Sequence, residues 1–193
     1  MYRRYVKRII DVILSLVGLI LASWLYMLIM IAIEIDDPGP VFFSQKRVGI
    51  HKKYFQLYKF RSMKMSTPHD MPTHLLENPE QYITRVGKFL RKTSLDEIPQ
   101  LWNILRGDMS FVGPRPERAY FYRKFEEYIP GFSNRLMVTP GLTGHAQVNG
   151  GYSLKPEEKI VYDMEYIEKQ SVGFDIRCLV KTVLVVFSHE GAR

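Results

Sequence analysis

The sequence is poor in cysteine, with only Cys178 among its 193 residues. An internal disulfide framework is therefore excluded, and the composition fits a protein of a reducing compartment. Common catalytic signatures are missing as well, because the chain has neither a P-loop nor a serine nucleophile elbow. His189-Glu190 is only a fragment of a zinc-protease motif, and the five histidines are scattered. Any chemistry must come from other residue types.

Acidic residues are scarce in the first third of the chain. Residues 1–64 hold 11 Lys and Arg against 4 Asp and Glu, a net charge of +7, whereas residues 65–193 hold 16 of each. Each cation near anionic lipid headgroups contributes roughly 1 kcal/mol, so this asymmetry predicts a membrane surface as partner. No nucleic acid partner is predicted, because the sequence contains no recognisable nucleic-acid-reading module.

Formal charge is absent from residues 12–33, and 13 of these 22 residues are Leu, Ile or Val. A helix of this length extends about 33 Å, enough to cross the hydrocarbon core of a bilayer. Its favourable insertion free energy, roughly 4 to 8 kcal/mol, makes a soluble core helix the weaker alternative. A cleaved signal peptide is disfavoured because the run is long and lacks a small-x-small cleavage site.

Basic residues flank this run on both sides, at positions 3–8 and 46–53. The positive-inside rule places both flanks in the cytoplasm, which a single spanning helix cannot satisfy. A helix that breaks near its middle and returns to the same side satisfies the rule. Ser23-Trp24 is a weak breaking point, since no proline compels a bend there. The expected organisation is a re-entrant membrane helix over residues 1–37 and one globular domain over residues 38–193.

Local patterns in the remaining chain predict a small β-hairpin among helices and loops. The fold class predicted is α+β and predominantly helical. A turn at residues 36–40 ends the apolar helix. Strands are predicted over residues 41–48 and 54–60, helices over 82–92, 116–128 and 156–168, an irregular loop over 64–83, and a glycine-rich loop facing the site over 138–154.

A final predicted helix carries an apolar stripe opposite three charged residues. The stripe contains Ile176, Leu179, Val180, Val183, Leu184 and Phe187, and the charged residues are Asp175, Arg177 and Lys181. Burial in the core is the usual fate of such a stripe. Contact with a membrane surface is the alternative, and the sequence leaves it open.

An adjacent acid pair, Asp96-Glu97, precedes the rigid Gly-Pro-Arg-Pro turn that carries Arg115 by about twenty residues. One interpretation is structural, because residues 94–97 fit a capping box and Asp96 could itself cap a helix. A helix start also favours anions, so capping and catalysis are compatible. Prolines on both sides of Arg115 hold its guanidinium on a stiff turn, where it binds either a surface carboxylate or an anionic ligand. Lys59, Arg61, Arg91 and Arg115 together suit a diphosphate, and the carboxylates suit Mg²⁺.

Six segments, taken in order, resemble one family almost from end to end. They are KRIIDVILSLVGLILAS, GPVFFSQKRVG, FQLYKFRSM, TSLDEIPQLWNILRGDMSFVGPRPE, PGLTGHAQVNG and YDMEYIEKQS. The chain resembles the bacterial sugar transferase family, the small monotopic phosphoglycosyl transferases that begin polysaccharide or glycan assembly on a polyprenyl (undecaprenyl) phosphate carrier.

The resemblance implies a reaction, a location and a set of site residues. Such enzymes lie on the cytoplasmic face of the bacterial inner (plasma) membrane through a re-entrant helix, and residues 38–193 would form the cytoplasmic catalytic domain with membrane-surface helices. They transfer a sugar-1-phosphate from a UDP-sugar to the lipid phosphate and release UMP, with Mg²⁺ as cofactor. Asp96 would be the nucleophile and a Mg²⁺ ligand, and Glu97 its partner. Lys59, Arg91 and Arg115 would hold phosphate groups, with Arg61 close by.

Three positions depart from the family pattern. Ser23-Trp24 stands where many relatives have Ser-Pro, Thr139 where an arginine is common, and Gly151 where some members have arginine. The sugar stays open among glucose, galactose and an N-acetylated hexosamine. Two other classes compete: a metal-dependent phosphohydrolase that uses water as acceptor, and a membrane scaffold that would be insensitive to changes at Asp96.

Overall fold

A computed structural model of the chain describes residues 2–68 and 78–188. The side chains of Arg4, Tyr152, Phe187 and Ser188 are not part of that description. The expectations for His189-Glu190, for the side chain of Phe187 and for the middle of the loop over residues 64–83 therefore lie outside the described residues.

The described chain is α+β and predominantly helical, as predicted. It contains a bent pair of apolar helices, two small sheets and five further α-helices. In chain order these are α1 (Lys7–Leu21), α2 (Ser23–Asp36), β1 (Phe42–Val48), β2 (Tyr54–Phe60), α3 (Arg85–Lys92), α4 (Gln100–Arg106), β3 (Ser110–Val112), α5 (Ala119–Glu126), β4 (Gly141–Thr143), α6 (Pro156–Lys169) and α7 (Val172–Ser188).

The predicted hairpin is confirmed, since β1 and β2 pair antiparallel with Phe42 opposite Phe60. Helix α3 begins three residues later than predicted, because the Thr84 side chain accepts a hydrogen bond from the Gly87 amide at 2.8 Å and caps the helix there. Helix α5 is likewise shorter than the predicted 116–128 at both ends.

The parallel pair of β3 and β4 was not predicted, because three-residue strands are too short to show an alternating pattern. Glycines allow the close backbone approach at this pair. A Cβ on Gly141 would lie 2.1 Å from the Gly113 amide nitrogen, and one on Gly144 would lie 2.1 Å from the Gly113 carbonyl oxygen. Part of the predicted glycine-rich loop is therefore a strand that fixes the turn around Arg115.

Helices α1 and α2 form one bent pair, with an angle of 59° at a break at Ala22. Within residues 2–68 and 78–188, no single helix is both long and apolar enough to cross a membrane, although this bent pair meets the criteria of length and composition. The predicted break is confirmed one residue before Ser23-Trp24. The membrane topology of the pair stays a prediction.

Helix α1 turns its polar side inward and its apolar side outward. Lys7, Asp11 and Ser15 are buried, and their spacing of four residues places them on one face of the helix. The exposed side carries Ile9, Ile13, Leu16, Val17 and Ile20. This inversion of the usual amphipathic pattern leaves a large apolar surface outside, as expected for a helix that contacts lipid.

Both ends of the bent pair bind the same globular body. At the start of α1, Arg8 donates hydrogen bonds to the carbonyl oxygens of Ile104 at 2.5 Å and Leu105 at 2.7 Å, near the end of α4. At the end of α2, Asp36 accepts a hydrogen bond from the Val86 amide at 2.8 Å in the first turn of α3. Between these anchors, Tyr26 donates to the Ile98 carbonyl at 2.9 Å.

The basic residues before the apolar run also contact the protein. Arg3 binds the carbonyl oxygens of residues 167 and 168, and Lys7 pairs with Asp175 at 2.5 Å. Lys7 is buried and Arg8 partly buried, whereas Arg3 is exposed, so contact of this segment with lipid headgroups stays a prediction. Exposed carbonyls at helix ends and a buried carboxylate need cationic partners, and this segment supplies them.

Of the apolar stripe of α7, only Leu179 among the described side chains follows the core interpretation, since it packs partly buried against a core cluster. Ile176, Val180, Val183 and Leu184 are each more than half exposed, whereas the inward face carries Asp175 and Cys178. Asp175 can be buried because Lys7, Tyr2 and Tyr166 surround its carboxylate. The alternative interpretation of the stripe, as a surface that contacts a membrane, remains.

Candidate active site

The acid pair lies in a short turn, Leu95–Glu97, between α3 and α4. Ser94 has a left-handed backbone conformation, and among the described residues neither it nor the residue before α4 makes a side-chain capping bond. Helix α4 begins only at Gln100. Both capping interpretations are therefore wrong, and the carboxylates are free for other partners.

Lys59 bridges the two carboxylates. Its Nζ lies 2.6 Å from Glu97 Oε1 and 3.4 Å from Asp96 Oδ2. Strand β2 delivers this lysine one residue before its end, at a position paired with Phe43 of β1. The strand is held in place by an apolar cluster in which Phe60 packs with Leu90 of α3 and with Ile29 and Ile33 of α2. The bent helix pair thus supports the strand that carries Lys59.

Arg115 also binds Glu97 and shares the oxygen Oε1 with Lys59. Its guanidinium donates to Glu97 in a two-pronged arrangement, with Nη2 on Oε1 and with Nη1 3.4 Å from Oε2. The turn is held by the parallel strands, since the Gly113 amide donates to Thr143 O at 2.9 Å and the Gly141 amide to Pro114 O at 2.9 Å. We refer to Lys59, Asp96, Glu97 and Arg115 as the acid-pair cluster.

The two carboxylates of this cluster differ in pKa. Burial raises the pKa of Asp96 above its usual range, the neighbouring Glu97 charge adds to that shift, and Lys59 and Arg91 oppose it. Burial alone would also raise the pKa of Glu97, but Arg115 and Lys59 outweigh burial and hold that pKa well below its usual range. Lys59 and Arg91 thus favour the ionised form of Asp96, as expected of nearby cations, but they do not offset burial, and the effect of the helix start stays a prediction.

The other two predicted cations occupy different positions. Arg91, at the end of α3, is close enough to act on the Asp96 carboxylate electrostatically. Arg61 instead pairs with Asp37, whose Oδ2 lies 2.9 Å from Arg61 Nη1 and also accepts from the Met65 amide at 2.8 Å. Arg61 therefore ties the end of α2 to the end of β2 and does not join the acid-pair cluster.

A cleft of about 880 Å³ opens beside the cluster. Lys59, Glu97 and Arg115 line it, while Asp96 is not among its lining residues in the part of the chain that the structure describes. Polar residues that sequence reasoning missed also face this space: Gln45, Arg47, Glu117, Arg118 and Lys159. Glu117 and Arg118 directly follow the Gly-Pro-Arg-Pro turn. This adjacency is the one feature of the sequence that pointed to them as site residues.

The prediction that the glycine-rich segment faces the site is confirmed, because Thr143, Ala146, Gln147, Val148 and Gly151 line the same cleft. His145 anchors this segment to α6 and α7. Its Nε2 lies 3.1 Å from Glu165 Oε2, and its Nδ1 lies 3.0 Å from the amide of Asn149, whose Oδ1 accepts from Lys181 at 2.9 Å.

A buried ion pair lies behind the Arg115 turn. Arg135 Nη2 is 2.6 Å from Asp163 Oδ2, and both side chains are almost fully enclosed. The same Nη2 also donates to the Arg115 carbonyl oxygen at 3.2 Å. The pair connects α6 to the backbone that presents Arg115.

The carboxylates near the cleft offer few ligands for Mg²⁺. Within the described residues, no group of three or more His, Cys, Asp or Glu side chains is arranged to hold a metal ion. Both oxygens of Glu97 are already engaged by Lys59 and Arg115. Asp96 alone remains, which fits an ion held by one carboxylate together with phosphate oxygens of a ligand, as is common for Mg²⁺.

Comparison with known proteins finds the same family that the six sequence segments resemble. The family model described as bacterial sugar transferase matches residues 2–189. The chain is 40% identical over 194 residues to UDP-glucose:undecaprenyl-phosphate glucose-1-phosphate transferase from Escherichia coli (strain K12), covering 98% of this chain and 42% of that protein. It is 38% identical over 193 residues to UDP-N-acetylgalactosamine-undecaprenyl-phosphate N-acetylgalactosaminephosphotransferase from Aeromonas hydrophila, covering 98% of this chain and 45% of that protein. The chain thus spans less than half the length of these relatives.

Proposed function

Because the chain belongs to the bacterial sugar transferase family, we propose that it transfers a sugar-1-phosphate from a UDP-sugar to polyprenyl (undecaprenyl) phosphate and releases UMP, as the first membrane step in bacterial polysaccharide or glycan assembly. The observation that carries the proposal is the acid-pair cluster: Lys59 lies between buried Asp96 and partly buried Glu97, Arg115 binds Glu97, and Lys59, Glu97 and Arg115 line a cleft. Relatives of nearly equal identity are named for different sugars, so the sugar is left open.

In the first half-reaction, an Asp96 carboxylate oxygen attacks the phosphorus that bears the sugar. The bond between that phosphorus and the oxygen bridging to the UMP phosphate breaks, and UMP leaves with the bridging oxygen and its electron pair. The sugar phosphate is then esterified to Asp96. A covalent intermediate lets one compact site serve a soluble donor and a lipid acceptor in turn.

In the second half-reaction, an oxygen of the polyprenyl phosphate attacks the same phosphorus. The bond to Asp96 breaks, the carboxylate is regenerated, and the lipid carries a diphosphate-linked sugar. Burial favours the first half-reaction, because it leaves the ionised form of Asp96 less stabilised and therefore a better nucleophile than a fully hydrated carboxylate. In the second half-reaction Asp96 is the leaving group.

Glu97 acts as the group that positions the cations. Its pKa is lowered, so it remains ionised and is poorly suited to donate or accept a proton near neutral pH. It holds Lys59 and Arg115 where they can stabilise charge on the diphosphate. Bound Mg²⁺, held by Asp96 and substrate phosphates, would supply further neutralisation of that charge.

We further propose that the bent pair α1–α2 inserts from the cytoplasmic face of the inner membrane and returns to it. Support comes from the contacts of Arg8 and Asp36, which bring both ends of the pair onto the same globular body. The exposed apolar face of α1 also needs a non-aqueous neighbour. A straight spanning helix would place its two ends on opposite sides of the bilayer.

The reaction is tested with purified protein in detergent, Mg²⁺ and a panel of UDP-sugars. Without lipid, we expect one sugar to yield UMP in an amount equal to the enzyme and to add one sugar phosphate to the peptide containing Asp96. Asp96→Asn should abolish both signals, while Asp108→Asn, a change outside the cluster, should retain them. UMP that appears only with lipid phosphate present would contradict the covalent route, and continuous release of free sugar phosphate would identify a hydrolase.

The topology is tested with single cysteines in a Cys178→Ser background. Tyr5→Cys and Lys53→Cys are exposed positions on the two flanks. Both should resist an impermeant thiol reagent in intact cells and react after permeabilisation. Labelling of only one flank in intact cells would establish a spanning helix.

A further inference from the structure

The cleft beside the acid-pair cluster has walls of two chemical kinds. One wall carries the cations Lys59 and Arg115. The other includes an apolar set from the last helix, namely Leu179, Val183 and Val186 of α7. A ligand that complements both the cations and the apolar residues of the cleft has an anionic group and an extended apolar part.

The apolar wall continues out of the cleft onto the surface. Val183 lines the cleft and yet is 55% exposed, so it forms part of the cleft mouth. One turn earlier, Val180 is 57% exposed but is not among the lining residues. Leu184 and Ile176 extend the exposed apolar stripe along the helix. Val183 therefore belongs both to the lining of the cleft and to the exposed apolar residues of α7.

Helix α7 is firmly held in this position. Its start is tied to α1 by the buried pair of Lys7 and Asp175 at 2.5 Å. Its middle is tied to β4 by Thr182 Oγ1, which lies 2.7 Å from Thr143 Oγ1. Polar contacts on the inner side of α7 therefore fix the position of the cleft mouth.

We propose that the isoprenoid chain of the lipid acceptor enters the cleft across this mouth on α7, lying against Val183, while its phosphate points toward Lys59 and Arg115. The proposal rests on the proposed function and names the site of the acceptor tail. Its physical basis is complementarity at both ends, since an isoprenoid chain gains by leaving water along Leu179, Val183 and Val186, and the phosphate meets the cations. A nucleoside would find few hydrogen-bonding groups along the same path.

The test compares two valines of similar exposure on the same helix. Val183→Trp fills the mouth, and Val180→Trp places the same side chain on the outer stripe, where any effect on membrane binding should be equal. Both proteins are assayed in nanodiscs with a long-chain polyprenyl phosphate, with a short-chain prenyl phosphate, and with donor alone.

For Val183→Trp, we expect the KM for the long-chain acceptor to rise at least about tenfold and the preference for long over short chains to shrink. The KM for the UDP-sugar and the stoichiometric UMP release without lipid should stay within about twofold, which also reports that the protein is folded. Val180→Trp should match the unsubstituted protein in every assay.

Two results would overturn the inference. Equal effects of both substitutions would mean that α7 acts only as a membrane-contact surface. A rise in the KM for the UDP-sugar in Val183→Trp, with the acceptor KM unchanged, would assign the mouth to the donor. Failure of the unsubstituted protein to release UMP with any UDP-sugar would instead contradict the proposed function, and this inference with it.

Discussion

Two arginine–carboxylate pairs lie on either side of the Gly-Pro-Arg-Pro turn and differ mainly in access to solvent. In the pair of Arg115 and Glu97 the side chains are 26% and 16% exposed, whereas in the pair of Arg135 and Asp163 they are 2% and 1% exposed. The first pair faces the cleft through both of its members. The second is almost fully enclosed, although Arg135 borders the cleft, and Arg135 is also stacked over the Phe132 ring at 4.9 Å.

This difference in exposure gives the two arginine–carboxylate pairs different roles: the partly exposed pair suits ligand binding, and the enclosed pair suits support of the fold. A partly exposed pair can exchange its partner for an incoming phosphate, because the arriving ligand need not first open the core. An enclosed pair cannot, and removal of one member leaves an uncompensated buried charge. Since Arg135 also binds the Arg115 carbonyl, the enclosed pair helps to fix the position of the accessible one.

The largest effect is expected at the cluster, with loss of activity but not of stability. Asp96→Asn should lower turnover by at least about 10³-fold, because the nucleophile is removed. Burial raises the pKa of Asp96, so folding disfavours its charge, and a neutral amide should not lower the melting temperature at pH 7. Turnover and thermal unfolding measured on the same sample check both parts; a large drop in melting temperature would show that the carboxylate is structural.

The enclosed pair should show the reverse pattern. Arg135→Met leaves Asp163 buried without its partner, and we expect the free energy of unfolding to fall by about 3 to 5 kcal/mol. Arg106→Met, which removes an exposed partner of Asp108, serves as the control and should cost less than about 1 kcal/mol. Denaturant unfolding of both variants measures the difference. Equal losses in the free energy of unfolding would mean that the enclosed pair contributes no more to stability than the exposed pair.

A smaller effect on turnover is expected when the guanidinium group of Arg115 is replaced by an ammonium group, which keeps the positive charge. Arg115→Lys should lower turnover by about tenfold to a hundredfold, because an ammonium group cannot hold a phosphate with two parallel hydrogen bonds. Stability should change little, as the side chain is partly exposed. Steady-state UMP release measures the effect, and near-normal turnover would mean that Arg115 contributes only diffuse positive charge.

The smallest effect concerns pH. Asp96 has a raised pKa and Glu97 a lowered one, so turnover should fall as pH drops through the pKa of Asp96 while Glu97 stays ionised. The acid limb of the profile should therefore follow a single proton. The two carboxylates act in opposite directions on the free energy of unfolding. Because the pKa of Asp96 is raised on folding, the free energy of unfolding falls as pH rises above 3.8 and Asp96 ionises. Because the pKa of Glu97 is lowered on folding, Glu97 contributes stability that is lost as pH falls through that lowered pKa. A two-proton acid limb would show that Glu97 also titrates.

The sequence predicted features that depend on local chain chemistry. The hairpin was found within one residue because its alternation and its glycine turn are local, and α6 was found within one residue from its proline start and charged surface. The grouping of Lys59, Asp96, Glu97 and Arg115 also followed from residue types and from the resemblance. Their individual functional roles stay predictions.

Errors arose where a distant partner reversed a local preference. Ser94 to Glu97 has the pattern of a capping box, yet Lys59 and Arg115 engage Glu97 instead of the backbone. The stripe of α7 has the pattern of a core face, yet Asp175 is the buried residue because Lys7, 168 positions away, supplies its counter-ion. Arg61 was grouped with the phosphate ligands by its place beside Lys59; Asp37 pairs with it, and its role toward a phosphate stays a prediction.

The sequence by itself thus determined the hairpin, most of the helices, the apolar run with its break, and the residue types that meet at the cleft, because helix period, turn residues and charge are local properties of the chain. Only the tertiary structure decided which face of α1 and α7 points inward and which carboxylate each cation holds. The reason is that a charge can be buried only beside its partner, and that partner is brought near by folding and not by position in the chain.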